Sequence, residues 1–399
     1  MTYTDEAMTL TLRHRQRSCQ ICGSSHHTPL YRNALAPIGG LDMSYQVSTC
    51  DNCGFMYASE LPASSVYAEY YRALSKYDVM ASVAEIRPVD RVRMAATVAL
   101  CRAHLHADAL IADIGCGTGT LLKAFQEAGW SRLHGIDPAP GAAAKAAALF
   151  GLQSVTTGTL GDAPAKLPLN QTNLVCLTGV LEHLPDLRSD LDTLAAAMNP
   201  QAMILIEVPA LERFVRAPME AYGEFSLEHI QYFSASSLGK LMAQLGYACL
   251  DSNIVSLSGG VTDSLFGLFA RGVPQPAMAT QELADPGGYI HQSEALMQNI
   301  LQRISSCPAR QLLIYGAGSH TARLLPRLDA LNLSSRVVGI VDGNPNLAGQ
   351  QIGRHTVASP DALASWPEAT VVISSFAAQS AIADFVGRHN GNPFLKLYP

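Results

Sequence analysis

The stretch "ALIADIGCGTGTLLKAFQEAGWSRLHGIDPAPGAAAKAAALFG", residues 109–151, limits the fold more than any other part of the chain. An apolar run at 110–113 leads into glycines spaced two apart, then an amphipathic segment. A second apolar run follows at 133–136, ends on Asp137 and gives way to an alanine-rich helix. Short apolar runs bounded by glycine turns read as buried strands, and the segments between them carry helical periodicity. Strand, helix and strand joined by right-handed crossovers give a parallel sheet. The alternation continues through "NLVCLTGVLEHLPD" and "MILIEVPALERF". A helix, "SASSLGKLMAQLGY", and a strand pair with "DSLFGLFARG" as one arm complete the unit. The expected class is α/β with a Rossmann-like core.

The glycines define what such a core can hold. Gly115, Gly117 and Gly119 sit where the first strand meets its helix, the edge at which open parallel sheets bind ligands. Without a Cβ, the backbone there passes close to a bound molecule. A dinucleotide fold would present G-x-G-x-x-G, whereas here the glycines alternate behind Asp113. That variant suits S-adenosylmethionine, which has no pyrophosphate to cradle but carries a charged amino-acid end. Asp113 is expected to orient the methionyl ammonium, and Asp137 to accept both ribose hydroxyls. Cys116, inside the turn, reads as a small filler and not as a nucleophile.

Two further units flank this core. Residues 273–288, "VPQPAMATQELADPGG", hold three prolines and two glycines and read as a linker. A helix, "HQSEALMQNILQRISS", then enters "RQLLIYGAGSHTARLLPRL", "RVVGIVDGNPNLAGQQIG" and "ATVVISSF". This is a second, smaller Rossmann-like unit, with Gly316 and Gly318 at its strand-to-helix turn and Asp342 closing its next strand. Its likeness to the first unit is one of topology, with no repeat in sequence.

At the other end, Cys19/Cys22 and Cys50/Cys53 form two CxxC pairs, each followed by glycine, at Gly23 and Gly54. Tight turns of this kind aim two sulfurs at one point, and four thiolates satisfy the tetrahedral preference of Zn²⁺. His26 and His27 lie nearby, but four cysteines already fill the sphere, so the metal is expected to be structural. No export signal is present, so the nine cysteines favour metal binding or free thiols over disulfides.

The expected organisation is a zinc-binding domain at 1–75, a methyl-transfer core at 76–272, a linker and helix at 273–308, and a Rossmann-like domain at 309–399. Net charge is −6 with no basic run, which disfavours nucleic acid as a partner. No apolar run is long enough to span a bilayer, so a soluble cytoplasmic protein acting on a small molecule is the expectation.

Residues 110–250 resemble class I S-adenosylmethionine-dependent methyltransferases. The order of parts across nearly the whole chain resembles a narrower family, the nucleotide-sugar C-methyltransferases, which join a zinc-binding domain, a methyltransferase core and a C-terminal Rossmann-like domain. The resemblance implies methylation at carbon 3 of a 4-keto-6-deoxy sugar carried on a nucleoside diphosphate. In that family the segment after the fifth strand reads close to Tyr-His-Glu-His, then a spacer, then Tyr-Phe-Ser. The present chain has Ser226-Leu227-Glu228-His229, then Tyr232-Phe233-Ser234. Glu228 and His229 match, while the tyrosine and first histidine do not. The resemblance implies that His229 takes the proton, that Glu228 raises its basicity or binds a sugar hydroxyl, and that His183 of "LEHLPD" donates to the enolate. It places Tyr77 of "LSKYDVM" at an aromatic substrate contact and gives the C-terminal domain a share in holding the nucleotide. There the family carries a basic residue soon after the glycine turn, where this chain has Ser319-His320-Thr321 and only later Arg323. Two other readings stay open at this level. One is methylation of oxygen or nitrogen on another small molecule, and the other is a non-catalytic zinc-ribbon protein that senses the methyl donor.

Overall fold

The computed structural model describes residues 14–73, 86–216, 219–257, 261–272, 284–389 and 391–399. The central sheet has seven strands: β5 (Leu110–Ile114), β6 (Arg132–Asp137), β7 (Val155–Thr157), β8 (Leu174–Thr178), β9 (Met203–Pro209), β11 (Tyr247–Val255) and β12 (Ser264–Arg271). They lie in the order β11-β12-β9-β8-β5-β6-β7. β12 runs antiparallel to β9 and to β11, while β5 to β9 are parallel. Every residue of β5 is buried, as its unbroken apolar run requires of a strand covered on both faces. The helix Thr120–Glu127 buries Leu121, Leu122 and Phe125 against one face, as its spacing predicts. Strand order reverses between β5 and β8, so the loops after these two strands border one crevice.

The N-terminal sheet contains β1 (Arg15–Gln16), β2 (His27–Asn33), β3 (Tyr45–Cys50) and β4 (Met56–Leu61) in the order β1-β4-β3-β2. A distant segment completes it. β10 (Gln231–Tyr232), which follows Glu228 and His229 in the chain, pairs antiparallel with β4, Gln231 opposite Tyr57 and Tyr232 opposite Met56.

The C-terminal sheet comprises β13 (Leu312–Tyr315), β14 (Val337–Val341), β15 (Gln351–Ile352), β16 (His355–Ala358), β17 (Thr370–Ile373) and β18 (Phe394–Lys396), ordered β15-β16-β14-β13-β17-β18. The helix that precedes it spans Pro286–Ser306 and so begins earlier than the expected linker allows. Pro286 takes a position where its missing N–H costs nothing, and the Asp285 carboxylate accepts from the Gly288 N–H at 2.8 Å. Tyr289, Met297 and Ile300 of this helix are buried. They join a single apolar cluster with Tyr45 of β3, Phe225 and Tyr232 of the segment after β9, and Leu324 and Tyr398 of the C-terminal unit. The three units therefore share a core. Among the described residues no helix is long and apolar enough to cross a membrane.

Candidate active site

The glycine turn lies at the crevice between β5 and β8. Gly115 has φ +81°, its N–H donates to the Ile136 carbonyl at 2.8 Å, and a Cβ there would stand 2.6 Å from Val180 Cγ2. It serves packing of the loop against the segment after β8. Gly117 differs: at φ +53° a Cβ would meet no atom within 4 Å. Its open face is where a ligand can pass. The Gly117 N–H donates to Asp137 Oδ2 at 2.8 Å, and the Ala139 N–H to Oδ1 at 2.9 Å. These bonds hold the carboxylate at the strand end. Asp113 is 1% exposed, and its Oδ1 has no hydrogen-bond partner. Burial, and then the charge of Asp137, push its carboxyl up to about 7. Cys116 is buried with its thiol raised well above the usual range, as a packing residue should be.

Next to the glycine turn, two loops bring a cluster of titratable side chains together. After β8 the chain makes one short helical turn, Leu181–His183. The segment 226–230 comes alongside, and the Ile230 N–H donates to the Glu182 carbonyl at 2.9 Å. That bond sets His229 beside His183, ring centres 4.8 Å apart and nearly perpendicular. His183 Nδ1 stands 3.8 Å from Glu228 Oε2, and its Nε2 stands 3.9 Å from Glu182 Oε1. Glu228 is buried, and its Oε1 accepts from the Tyr70 hydroxyl at 2.8 Å. Ser226, in the place of the family tyrosine, has a local task. Its Oγ accepts the Glu228 and His229 amides at 3.3 and 3.0 Å, turning the chain so that both side chains face His183.

Three groups in this region escape sequence reasoning. Tyr70 belongs to the helix Ser64–Ala73 and to the aromatic cluster of the connector, where it is one tyrosine among several. Glu182 is hidden inside a common motif. Burial, and then the charge of Glu207, push its carboxyl up to about 8. Glu207 on β9 accepts from the Ser264 hydroxyl and stands 3.5 Å from Arg93 Nε. Arg17 braces the loops from outside, donating to the carbonyls of Ala58 at 2.6 Å, Pro185 at 2.6 Å and Ile230 at 3.2 Å. Tyr77 lies outside the described residues.

The four cysteines converge, with Cys19 and Cys53 sulfurs 3.5 Å apart and Cys22 and Cys50 sulfurs 3.5 Å apart. Tetrahedral ligation with bonds of about 2.3 Å needs sulfur separations of about 3.7 Å, so this donor set fits zinc. The Gly23 and Gly54 amides close the two turns on the Cys19 and Cys50 carbonyls, each at 2.9 Å. His26 and His27 do not join the group. In the C-terminal unit Arg323 is turned away from the glycine loop. It is fully buried and bonds Asn33 Oδ1 at 3.1 Å, the Ala221 carbonyl at 3.4 Å and the Phe225 carbonyl.

The seven-stranded sheet, with antiparallel β12 between β9 and β11 and an acid closing its second strand, is the Rossmann-like core expected from the sequence. The family described as "Methyltransferase domain" matches residues 87–252. This part of the chain is a methyltransferase domain. The C-methyltransferase NovU of Streptomyces niveus is 26% identical over 258 residues, 61% of this chain and 58% of that protein. The chain therefore spans little more than half of that relative's length. The human methyltransferase-like protein 27 is 36% identical over 73 residues, 18% of this chain and 30% of that protein. Among solved structures, a 1,6-didemethyltoxoflavin-N1-methyltransferase of Burkholderia thailandensis with bound S-adenosylhomocysteine covers 55% of this chain and 97% of its own. Its sequence identity is 20% and its TM-score 0.41. The methyltransferase domain thus has its open glycine and its titratable cluster at the same edge of one sheet.

Proposed function

We propose that the chain transfers a methyl group from S-adenosylmethionine to a carbon beside a ketone, on a 4-keto-6-deoxy sugar linked to a nucleoside diphosphate. The observation that carries the reading is the gathering of His183, Glu228 and His229 at the edge where the Gly117 face is open. Methylation of oxygen or nitrogen needs little more than a positioned lone pair. Methylation of carbon needs a base and a donor together, because the nucleophile must first be made. The proton leaves the carbon next to the ketone for the Glu228–His229 pair, and its bonding electrons become the enolate. The enolate oxygen faces His183, whose N–H stabilises the developing charge. The enolate carbon then forms the new C–C bond as the C–S bond of the sulfonium breaks, releasing S-adenosylhomocysteine. Histidine suits the task because it titrates near neutrality.

The other units support the same reading. Cys19, Cys22, Cys50 and Cys53 would hold Zn²⁺ in a structural role, stiffening the sheet that anchors β10 and, through it, Glu228 and His229. The C-terminal loop borders a cavity of about 440 Å³ lined by Gly318, Ser319 and His320 at the start of the helix Ser319–Ala330, whose first-turn amides face a nucleotide phosphate in this reading. NovU is named as a C-methyltransferase, in agreement.

The test is mass spectrometry after incubation with labelled methyl donor and a panel of 4-keto-6-deoxy sugars on different nucleotides. A carbon-linked label on one of them is expected. Label arriving only on hydroxyl or amine acceptors that lack a ketone would replace this reading with oxygen or nitrogen methylation. Donor binding with no release of S-adenosylhomocysteine would replace it with a sensor.

A further inference from the structure

We infer that Glu182, His183 and His229 form a divalent-cation site at the acceptor edge of the methyltransferase domain, an inference that rests on that edge being where the acceptor binds. One ligand atom from each of the three lies within 4.8 Å of the others. Ligands held at about 2.1 Å from an ion stand about 3–3.5 Å apart, so the three side chains would draw together by about 1–2 Å around it.

A second observation is independent of this spacing. Glu182 is 3% exposed and its Oε2 has no hydrogen-bond partner. Glu228 Oε2, in the same pocket, has none either. Three buried carboxylates, Glu182, Glu207 and Glu228, crowd together, and Arg93 stands against Glu207 at 3.5 Å. Among the described residues no lysine or arginine forms an ion pair with Glu182 or Glu228. Three carboxylates buried this close together, with one guanidinium beside them, cannot all be ionised at low cost, and a divalent ion offsets the surplus. Two imidazoles and one carboxylate suit Mn²⁺, Fe²⁺ or Zn²⁺ and leave coordination positions open.

An open position at this edge takes oxygen from the acceptor, either a ketone oxygen alone or with a neighbouring hydroxyl. The ion then takes over from the His183 N–H the stabilisation of that oxygen, acting as a Lewis acid that draws charge onto it and makes the adjacent C–H more acidic. His229 spends its lone pair on the ion. The proton acceptor of the Glu228–His229 pair is then Glu228, held by Tyr70 through Oε1 and free of hydrogen bonds at Oε2.

The experiment uses the full chain with zinc retained at the four cysteines and follows Mn²⁺ by electron paramagnetic resonance and by thermal melting. One Mn²⁺ per chain is expected beyond the retained zinc, together with a rise in Tm. Glu182→Gln should weaken that binding at least tenfold while melting, without Mn²⁺, as the parent does. If Glu182→Gln melts early, His229→Gln provides the same comparison. No Mn²⁺ bound at millimolar concentration, or affinity equal to the parent's in both variants, overturns the site. Undiminished methyl transfer after chelation that leaves the zinc in place overturns the role of the ion and spares the proposed reaction. Tight, Glu182-dependent Mn²⁺ binding with no transfer to any keto-sugar does the reverse.

Discussion

The two Rossmann-like units use one device for different ends. In the methyltransferase domain Asp137 accepts the amides of Gly117 and Ala139 at 2.8 and 2.9 Å. In the C-terminal unit Asp342 accepts those of Ala317 and Asn344, each at 2.7 Å. The loop and the end of the next strand are tied in the same way. What surrounds the tie is not the same. Gly117 faces open space, and the loop after β8 brings Glu182 and His183 to the crevice. In the C-terminal unit Gly316 is hemmed in, since a Cβ there would meet the Ser374 carbonyl oxygen at 2.7 Å. His320 is buried and bonded to Ser374 Oγ at 2.8 Å. Burial, and then Arg323, push its imidazole down to about 3, so it stays neutral and handles no proton. Arg323 itself binds the N-terminal sheet and the segment after β9. Shared topology says where a ligand can bind. The side chains at that edge say whether chemistry follows.

The largest expected difference between the units lies in turnover. His229→Ala should lower methyl transfer by about 10²–10⁴-fold while donor affinity, read by calorimetry, stays within a factor of two. No variant of His320 should do this. The next effect is in binding. Asp137→Ala should weaken the donor by about 10–100-fold, the loss of charge-assisted hydrogen bonds. Asp342→Ala should leave donor affinity unchanged and raise the KM of the sugar nucleotide. Equal losses of donor affinity in both would mean that the second unit also holds the donor, and the contrast would fail.

A pH series sharpens the donor side. Because burial raises Asp113, its contribution to the stability of the free protein is present at acid pH and is lost as pH rises through about 7. Donor binding runs the other way, since a cationic ligand favours the carboxylate. Affinity should therefore rise with pH up to about 7 and then level, changing by about tenfold per unit below it. Asp113→Asn should flatten the curve. The last effect is structural. Arg323→Met should destabilise the chain by on the order of 2–3 kcal/mol in denaturant unfolding, because the buried acceptors at Asn33 and Phe225 lose a charged donor.

Much of the proposed donor site is legible in the chain. Asp113, the alternating glycines and Asp137 are close in sequence, and a strand–turn–helix–strand unit places them with little freedom. Glu228 and His229 are legible only through resemblance, because nothing local shows what faces them. Tyr70 and Glu182 are not legible as site residues. Tyr70 reaches Glu228 from 158 positions away, and Glu182 sits in a motif that reads equally well as the end of a strand. The early start of the helix at Pro286 also runs against composition, since proline and glycine signal a break until Asp285 is seen to cap the turn. Arg323 reads as a late member of a ligand loop, yet it points to Asn33, 290 positions away.

By itself the sequence determined the strand–helix alternation of the two Rossmann-like units, the glycine bend and the paired cysteine turns, because each depends on neighbours close in the chain. Only the tertiary structure decided which side chains gather beside His183. β10 adds to the N-terminal sheet, the Ile230 amide bonds the Glu182 carbonyl, and one apolar core runs through all three units. Contacts of that range form when distant segments bury surface together, and no local pattern of residues encodes the partner.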